Sequence, residues 1–301
     1  MPTGARYFPL SDYLTCRRKN FYAAVRMSST RIKAWFSIRK ENLHGGRSGD
    51  GTLVLMTDGS EWDNEVIPTM NWYALSGVTA GTGCVLPAER AGMSRTVGGL
   101  SHRGRWGLAG MDFAVRCGKG ALRARKSYAV LDRGVVLMGS DVHLDRATLP
   151  KGKVPYTTLH QCPLRDEDRS FTVDGRAAAL ADGEKTLEVR SWLHVRNYGY
   201  WFPEPTRVTL RVNTSTRGYA YLNGRTSSRK TYTRRFFTLS VTHSGKPETS
   251  GYAVVILPGV KAAEMPGLAA RPGVKVLARS KTVNALRDEP AGLTACCLFA
   301  R

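Results

Sequence analysis

The chain has 301 residues, 42% of them hydrophobic, which is enough for one large all-β domain or two ordinary ones and too much for a globally disordered chain. No run of about 18 apolar residues exists to span a membrane as a helix, and the opening MPTGARYFPLSDYL shows no apolar signal-peptide core. Lys and Arg number 45 against 24 Asp and Glu, for a formal charge of +21 spread along the chain; this points to a polyanion, whether nucleic acid, acidic polysaccharide or anionic lipid, and does not choose among them.

Residues 1–65 are the denser in aromatic and basic side chains and read as a separate entry segment, with 66–301 as the main β-domain. Within the first segment, VRMSSTR (25–31) sets two arginines five positions apart. On a strand Arg26 and Arg31 would point to opposite faces, and on a helix they would sit about 140° apart. If both serve one ligand, the chain must bend near Ser28-Ser29. RKENLHGGRSGDG (39–51) follows, rich in Gly and carrying Glu41, Asn42 and Asp50. No G-K-[ST] ends it, so it is not a phosphate loop. It reads as a polar hairpin loop or a substrate-lining loop.

TLVLMT (52–57) is a strand. NWYALSGVTAGTG (71–83) places Trp72 and Tyr73 before a Gly-rich turn, as core aromatics or as faces for sugar rings. Residues 80–96 are the best loop candidate. SYAVLDRGVVLMG (127–139) reads as a hairpin turning at Asp132-Arg133-Gly134. Strand-like runs then recur every 10–20 residues, in SFTVDG, TLEVRSWLHV, RVTLRVNTS, RGYAYLNG, RFFTLSVTHSG, YAVVILPG, VKVLARS and GLTACCLF. The rhythm predicts stacked antiparallel sheets. Helical stretches are few: 175–184, and 260–269 with Pro266 as its stop. HVRNYGYWFPE (194–204) is a stacking platform or an edge strand ended by Pro203.

The six cysteines (16, 84, 117, 162, 296 and 297) contain no C-x-x-C pair, and no spacing supports a disulfide framework. Adjacent Cys296 and Cys297 read as buried small hydrophobes. The six histidines show no metal-binding spacing, and no G-x-S-x-G elbow appears. No metal or other cofactor is expected.

Several stretches, in order, resemble polysaccharide lyase family 8, which includes hyaluronate, chondroitin AC and xanthan lyases. They are YFPLSDYLTCRRKNFYAAVRMSSTR (7–31), KENLHGGRSGDG (40–51), IPTMNWYALSGVT (67–79), VGGLSHRGRWGLAGMDF (97–113), LRARKSYAVLDRGVVLMGSDV (122–142), YGYWFPE (198–204), THSGKP (242–247) and YAVVILPG (252–259). The resemblance implies an all-β fold, the large antiparallel β-supersandwich of that family's central domain. It also implies β-elimination of a uronate-containing polysaccharide of hyaluronan, chondroitin or xanthan type, without metal. Arg26, Arg31, Glu41, Asn42 and Trp72 occupy the positions that resemble substrate-facing ones, and guanidinium forks suit carboxylate and sulfate oxygens.

The family carries its catalytic Asn, His and Tyr in an N-terminal α/α-toroid, upstream of these segments. No residue here inherits those roles. Tyr7, Tyr13, Tyr200 and Tyr221 are available as bases, with no motif behind any of them. Ser76 stands for the usual proline before Gly77, Arg39 for part of an Asn-Gly pair, and Arg125 for the first lysine of A-K-K-S. The expectation is a sandwich module whose toroid comes from a separate chain or domain. Its location is extracellular by resemblance, with no export signal visible. Two other readings stand beside it: a non-catalytic acidic-glycan-binding sandwich, and a generic basic polyanion binder. The last is disfavoured because no nucleic-acid module is visible.

Overall fold

Near-continuous apolar runs such as YAVVILPG belong to strands covered on both faces, whereas clean alternation marks a strand with one face in water. The computed structural model, which describes residues 3–37, 40–82, 84, 90–146, 149–244 and 250–299, obeys that division. Strands β1 (Gly4–Phe8), β2 (Tyr13–Arg17) and β3 (Tyr22–Arg26) form a meander. After β4 (Lys33–Trp35) the chain returns as β5 (Thr52–Met56) beside β3, completing a four-stranded sheet. A short helix, α1 (Val66–Thr69), and β6 (Thr79–Gly81) follow, and β7 (Arg90–Ala91) pairs back to β4.

The long meander β8 (Val97–His102), β9 (Trp106–Cys117), β10 (Gly120–Val130) and β11 (Val135–Asp145) builds half of a nine-stranded sheet. The β10–β11 turn closes with Leu131 N–H on the Gly134 carbonyl, at the expected Asp132-Arg133-Gly134 corner. Strand β12 (Pro155–Leu164) crosses to a second sheet, and β13 (Ser170–Val173) with β14 (Arg176–Ala179) returns to the first. The single run 186–195 divides into β15 (Gly183–Val189) and β16 (Trp192–Val195), which lie in different sheets. Then come β17 (Tyr198–Trp201), β18 (Thr206–Arg217), the helical turn α2 (Tyr219–Leu222), β19 (Tyr232–Thr242) and β20 (Tyr252–Pro258). Helix α3 (Met265–Ala270) leads to β21 (Val274–Arg279), β22 (Val283–Asp288) and β23 (Leu293–Leu298).

The nine-stranded sheet, ordered β14-β13-β16-β17-β20-β11-β10-β9-β8, is the middle layer. One face shares a core with the four-stranded sheet and with the five-stranded sheet β15-β18-β19-β12-β6, through Leu14, Val25, Phe113, Leu137, Val208 and Leu239. Its other face packs on α3 and the three-stranded sheet β21-β22-β23, through Val136, Val255, Met265 and Leu286.

Several local expectations are corrected. Residues 176–179 are strand, not helix, because Asp174 and Gly175 both take positive φ and close a two-residue hairpin in which Val173 faces Arg176; that turn chemistry outweighs the alanines' helix preference. In 217–224, Tyr219–Leu222 forms a helical turn and Leu222 is buried beside Phe236. Pro266 sits in the first turn of α3 rather than ending a helix, where its missing N–H costs nothing. Strand β17 is interior, paired to β16 and β20, and Tyr198 and Tyr200 are fully buried, so neither an edge strand nor a stacking platform exists there. Cys84 and Cys117 form a disulfide across 33 residues that no spacing rule indicated. Cys296 is exposed, and only Cys297 turns inward, against Gly110. The expected loop 80–96 holds β6 and β7, its residues 83 and 85–89 lying outside the described residues, as do Arg39 and residues 245–247.

Candidate functional site

Register places Arg26 opposite Tyr13 on β2 and Thr52 on β5. Directly paired residues share a face, so Arg26 stands with Tyr13 on the outer face of the four-stranded sheet. Its Nη1 donates to Ser48 Oγ at 3.3 Å. Burial lowers the Arg26 pKa while neighbouring Tyr13 works the other way; an arginine keeps its charge under both. Past β3 the chain turns: Thr30 N–H donates to Ser94 and Ile32 N–H to Ser29, so the bend falls at Ser29–Ile32, a residue later than expected. This sends Arg31 back to the β1–β2 turn. Its Nη2 donates to Asp12 Oδ1 at 2.8 Å and its Nε to Ser29 Oγ at 3.4 Å.

The pair Arg31–Asp12 is lopsided: the arginine side chain is 58% exposed and the carboxylate fully buried. Asp12 has φ 47°, and its Oδ2 has no partner among the described residues. Tyr7, whose pKa is raised by burial and then by Asp12, feels Arg31 as well. Tyr7 pairs with Leu14 and so lies on the core-facing side, opposite Tyr13. The two guanidinium groups therefore flank the Asp12–Tyr13 turn from its two sides, Arg26 by Tyr13 and Arg31 by Asp12 and Tyr7.

The loop 40–51 is clamped from beneath. Asp50 is buried and takes Arg47 Nη1 at 3.4 Å and Arg90 Nη2 on its other oxygen. Lys126, fully buried on β10, donates through Nζ to the carbonyls of Asp50 (2.7 Å) and Gly77 (2.5 Å). Burial pulls its pKa down to about 7, with Asp50 opposing and Arg47 reinforcing that shift. Tyr128 Oη donates to the Gly51 carbonyl at 2.8 Å, and Gly51 has φ 78°, with no room for a Cβ against the Tyr128 hydroxyl. The G-D-G stretch thus needs glycine for conformation and close approach, and aspartate for charge pairing.

Glu41 is exposed, its carbonyl accepting from Ser37 Oγ at 2.5 Å. Asn42 takes φ 45°, and its Oδ1 accepts from His44 N–H at 3.2 Å, which holds the loop's shape. Leu43 N–H docks the loop on the Leu222 carbonyl of α2. The His44 ring stacks on Tyr221 at 3.9 Å, and Nδ1 lies 3.0 Å from the Tyr73 hydroxyl. Trp72 is buried in the cluster around α1, and its indole N–H donates to the Ile67 carbonyl at 3.0 Å. It offers a core contact rather than an open face; the exposed ring is Tyr73, at 48%.

The structure thus brings Arg26 to Ser48, at one end of the Gly-rich loop, and places Glu41 and Asn42 at the loop's other end. Trp72 lies in the α1 cluster, which includes Leu222, the residue on which the loop's Leu43 docks. Sequence reading missed Arg47, Arg90 and Lys126. A loop arginine carries no local mark of burial, and the only hint was the apolar company of Lys126 in KSYAV. Of the tyrosines, Tyr200 is buried with its hydroxyl 2.6 Å from His160 Nδ1, and burial followed by the Tyr22 hydrogen bond raises the Tyr13 pKa well above the ordinary value. Neither is suited to remove a proton near neutral pH.

Residues 3–269 match the family model described as polysaccharide lyase family 8, super-sandwich domain. A hyaluronate lyase of Enterococcus faecalis is 25% identical over 309 residues, covering 96% of this chain and 30% of that protein. A xanthan lyase of a Bacillus species is 26% identical over 302 residues, covering 97% of this chain and 32% of its own length. The solved structure of a Paenibacillus xanthan lyase superposes with a TM-score of 0.88 at 24% identity, over 99% of this chain and 29% of that one. The fold is the super-sandwich, and the chain spans about a third of the length of these curated relatives.

Proposed function

The chain belongs to polysaccharide lyase family 8, and from that premise we propose that it engages a uronate-containing polysaccharide through Arg26 and Arg31. Elimination removes the C5 proton next to the uronate carboxyl group, expels the glycosidic oxygen and protonates it. The step is tolerable only if the charge developing on the carboxylate is neutralised. Guanidinium groups supply that neutralisation. The observation that carries the reading is the lopsided Arg31–Asp12 pair: a buried carboxylate fixes one edge of an exposed guanidinium and leaves other N–H groups free for an anion. Arg26, half-buried beside Tyr13, adds a second positive charge at the same turn.

In this reading residues 1–65 are the junction, and the proton-transfer groups come from a toroid on a separate chain or domain. Glu41 and Asn42 belong to the substrate-facing loop, and Trp72 supports it from the core. Extracellular action is consistent with the Cys84–Cys117 disulfide, a bond that persists in oxidising compartments. The test is ultraviolet absorbance of the unsaturated uronate product on hyaluronan, chondroitin and xanthan, run beside direct binding to the same chains. Binding without product favours the second reading, a non-catalytic acidic-glycan module, which the burial of Tyr200 and the raised pKa of Tyr13 support. Absence of binding to all three removes both.

A further inference from the structure

Several arginines are already engaged by carboxylates: Arg47 and Arg90 by Asp50, Arg105 by Asp132, Arg125 by Asp112, Arg207 by Glu188 and Arg279 by Glu204. Others are not, among the described residues, and two of these share one groove. On the outer face of the five-stranded sheet, β18 alternates, with Val208, Leu210 and Val212 facing the core. Its opposite parity carries Thr209, Arg211, Asn213, Ser215 and Arg217 into a groove of about 630 Å³. That size lies within the range of about 300–1,000 Å³ usual for ligand sites.

Across from them stand Thr238 and Ser240 of β19, in register with Arg211 and Thr209. Lys153 lines the groove as well, and none of Lys153, Arg211 and Arg217 is in an ion pair among the described residues. Among the described residues the one carboxylate lining it is Glu184, cross-strand from Arg211 on β15 but not within ion-pair distance.

The groove also has an aromatic wall. Tyr73 and Tyr221 both line it; Arg217 lies over the Tyr221 ring at 4.2 Å, and His44 is stacked on Tyr221 and bonded to Tyr73. The wall is braced: Gln161 accepts from Asn71 N–H at 2.8 Å and donates to the Asn71 and Ala74 carbonyls. Arg211 and Arg217 are six residues apart on one strand face, or roughly 20 Å, a span that holds several sugar rings. Hydroxyl and amide side chains between two unpaired guanidinium groups, beside an exposed ring, suit a chain that alternates hydroxyls with regularly spaced anions. A polyphosphate backbone would call for a denser line of cations.

We propose that this outer groove is a second binding site for an acidic polysaccharide, in which Arg211 and Arg217 take carboxylate or sulfate groups, Asn213 and Ser215 between them and Thr209, Thr238 and Ser240 beside Arg211 take hydroxyls, and Tyr73 stacks on a ring. The choice of ligand rests on the reading above, while the groove is separate from the Arg26–Arg31 turn. The Gly-rich loop touches both, through Ser48 on one side and His44 on the other.

The test is amide hydrogen exchange of the whole chain with hyaluronan oligosaccharides, chondroitin sulfate oligosaccharides and a single-stranded oligodeoxynucleotide, together with affinity measurements. Protection of β18, β19 and residues 71–74 by a glycan is expected. The Arg211→Ala/Arg217→Ala variant should bind about tenfold or more weakly, while Arg211→Lys/Arg217→Lys keeps part of the affinity. A carboxylate-only ligand is told from a sulfate-dependent one by comparing the two glycans. Protection confined to residues 12–31, no change in the double alanine variant, or equal protection by the oligodeoxynucleotide overturns the proposal. The Arg26→Ala/Arg31→Ala variant should leave β18 protection in place, so loss at one site is read apart from loss at the other.

Discussion

The Lys126 ammonium donates to the Asp50 carbonyl oxygen at 2.7 Å, from a strand in the middle of the molecule to a loop on its surface. The contact is wholly buried, and it links the core to the segment that carries Glu41, Asn42 and His44. A polar group is left in the core only when its hydrogen bonds are made. Lys126 makes two, to backbone carbonyls that strand pairing leaves free.

A pH dependence follows. Lysine in the unfolded chain holds its proton to about pH 10.4, whereas burial brings Lys126 to about 7 in the fold. Between those values the unfolded state binds more protons, so stability rises with pH through the window and is lost as pH falls toward 7. Urea unfolding of wild type and Lys126→Met, measured from pH 7 to 10, should give a wild-type curve that climbs relative to the variant. Parallel curves would show that Lys126 titrates normally.

The Cys84–Cys117 bond closes a loop of 33 residues and ties a segment before β7 to the end of β9. Loop-closure entropy for that length corresponds to about 3–4 kcal/mol. Cys84→Ser/Cys117→Ser, or reduction of wild type, should lower stability by that order in denaturant unfolding. An unchanged midpoint after reduction would mean that the thiols are free in solution.

Glu61 carries a third expectation. Its carboxylate is buried and accepts from Thr57 N–H (3.0 Å), Thr57 Oγ1 (2.6 Å), Gly59 N–H (3.1 Å) and Tyr198 Oη (2.6 Å), with Arg196 Nη1 3.8 Å away. Burial alone would raise its pKa, but the Thr57 and Tyr198 hydrogen bonds outweigh burial and hold it below the ordinary value. Removing the charge by Glu61→Leu strands the Thr57, Gly59 and Tyr198 donors, at about 1–3 kcal/mol for each left unsatisfied, while Arg196 keeps Ser60, Cys162 and Pro163 as partners. Thermal unfolding should show the largest loss of any single substitution named here, and the wild type should lose this contribution as pH falls through the acid range. A Glu61→Leu protein of wild-type stability would contradict the network.

The layers were legible in the residues because burial on two faces leaves continuous apolar runs and burial on one leaves alternation. YAVVILPG and SYAVLDRGVVLMG became central strands, and RVTLRVNTS became the half-exposed β18. What escaped was set by long-range pairing. The alanines of 177–179 favour helix until Asp174-Gly175 folds them onto β13, and the aromatics of β17 look like a surface patch until strands close on both sides. At the candidate site, Arg26 and Arg31 stood out by spacing and by resemblance. The partners that hold their surroundings, Asp12 and Ser48 in direct contact and Lys126 beneath the loop, lie up to about a hundred positions away and give no local signal.

The proposed hold of this sandwich on an acidic sugar chain lies with the guanidinium groups at the Asp12–Tyr13 turn. Its most direct test is calorimetric titration of hyaluronan oligosaccharides into wild type and into Arg26→Ala/Arg31→Ala, at low and at physiological salt. Measurable binding that weakens with salt is expected, with a further loss of about tenfold or more in the double variant. Binding that is absent in wild type, or that ignores both substitutions in a folded variant, would contradict it.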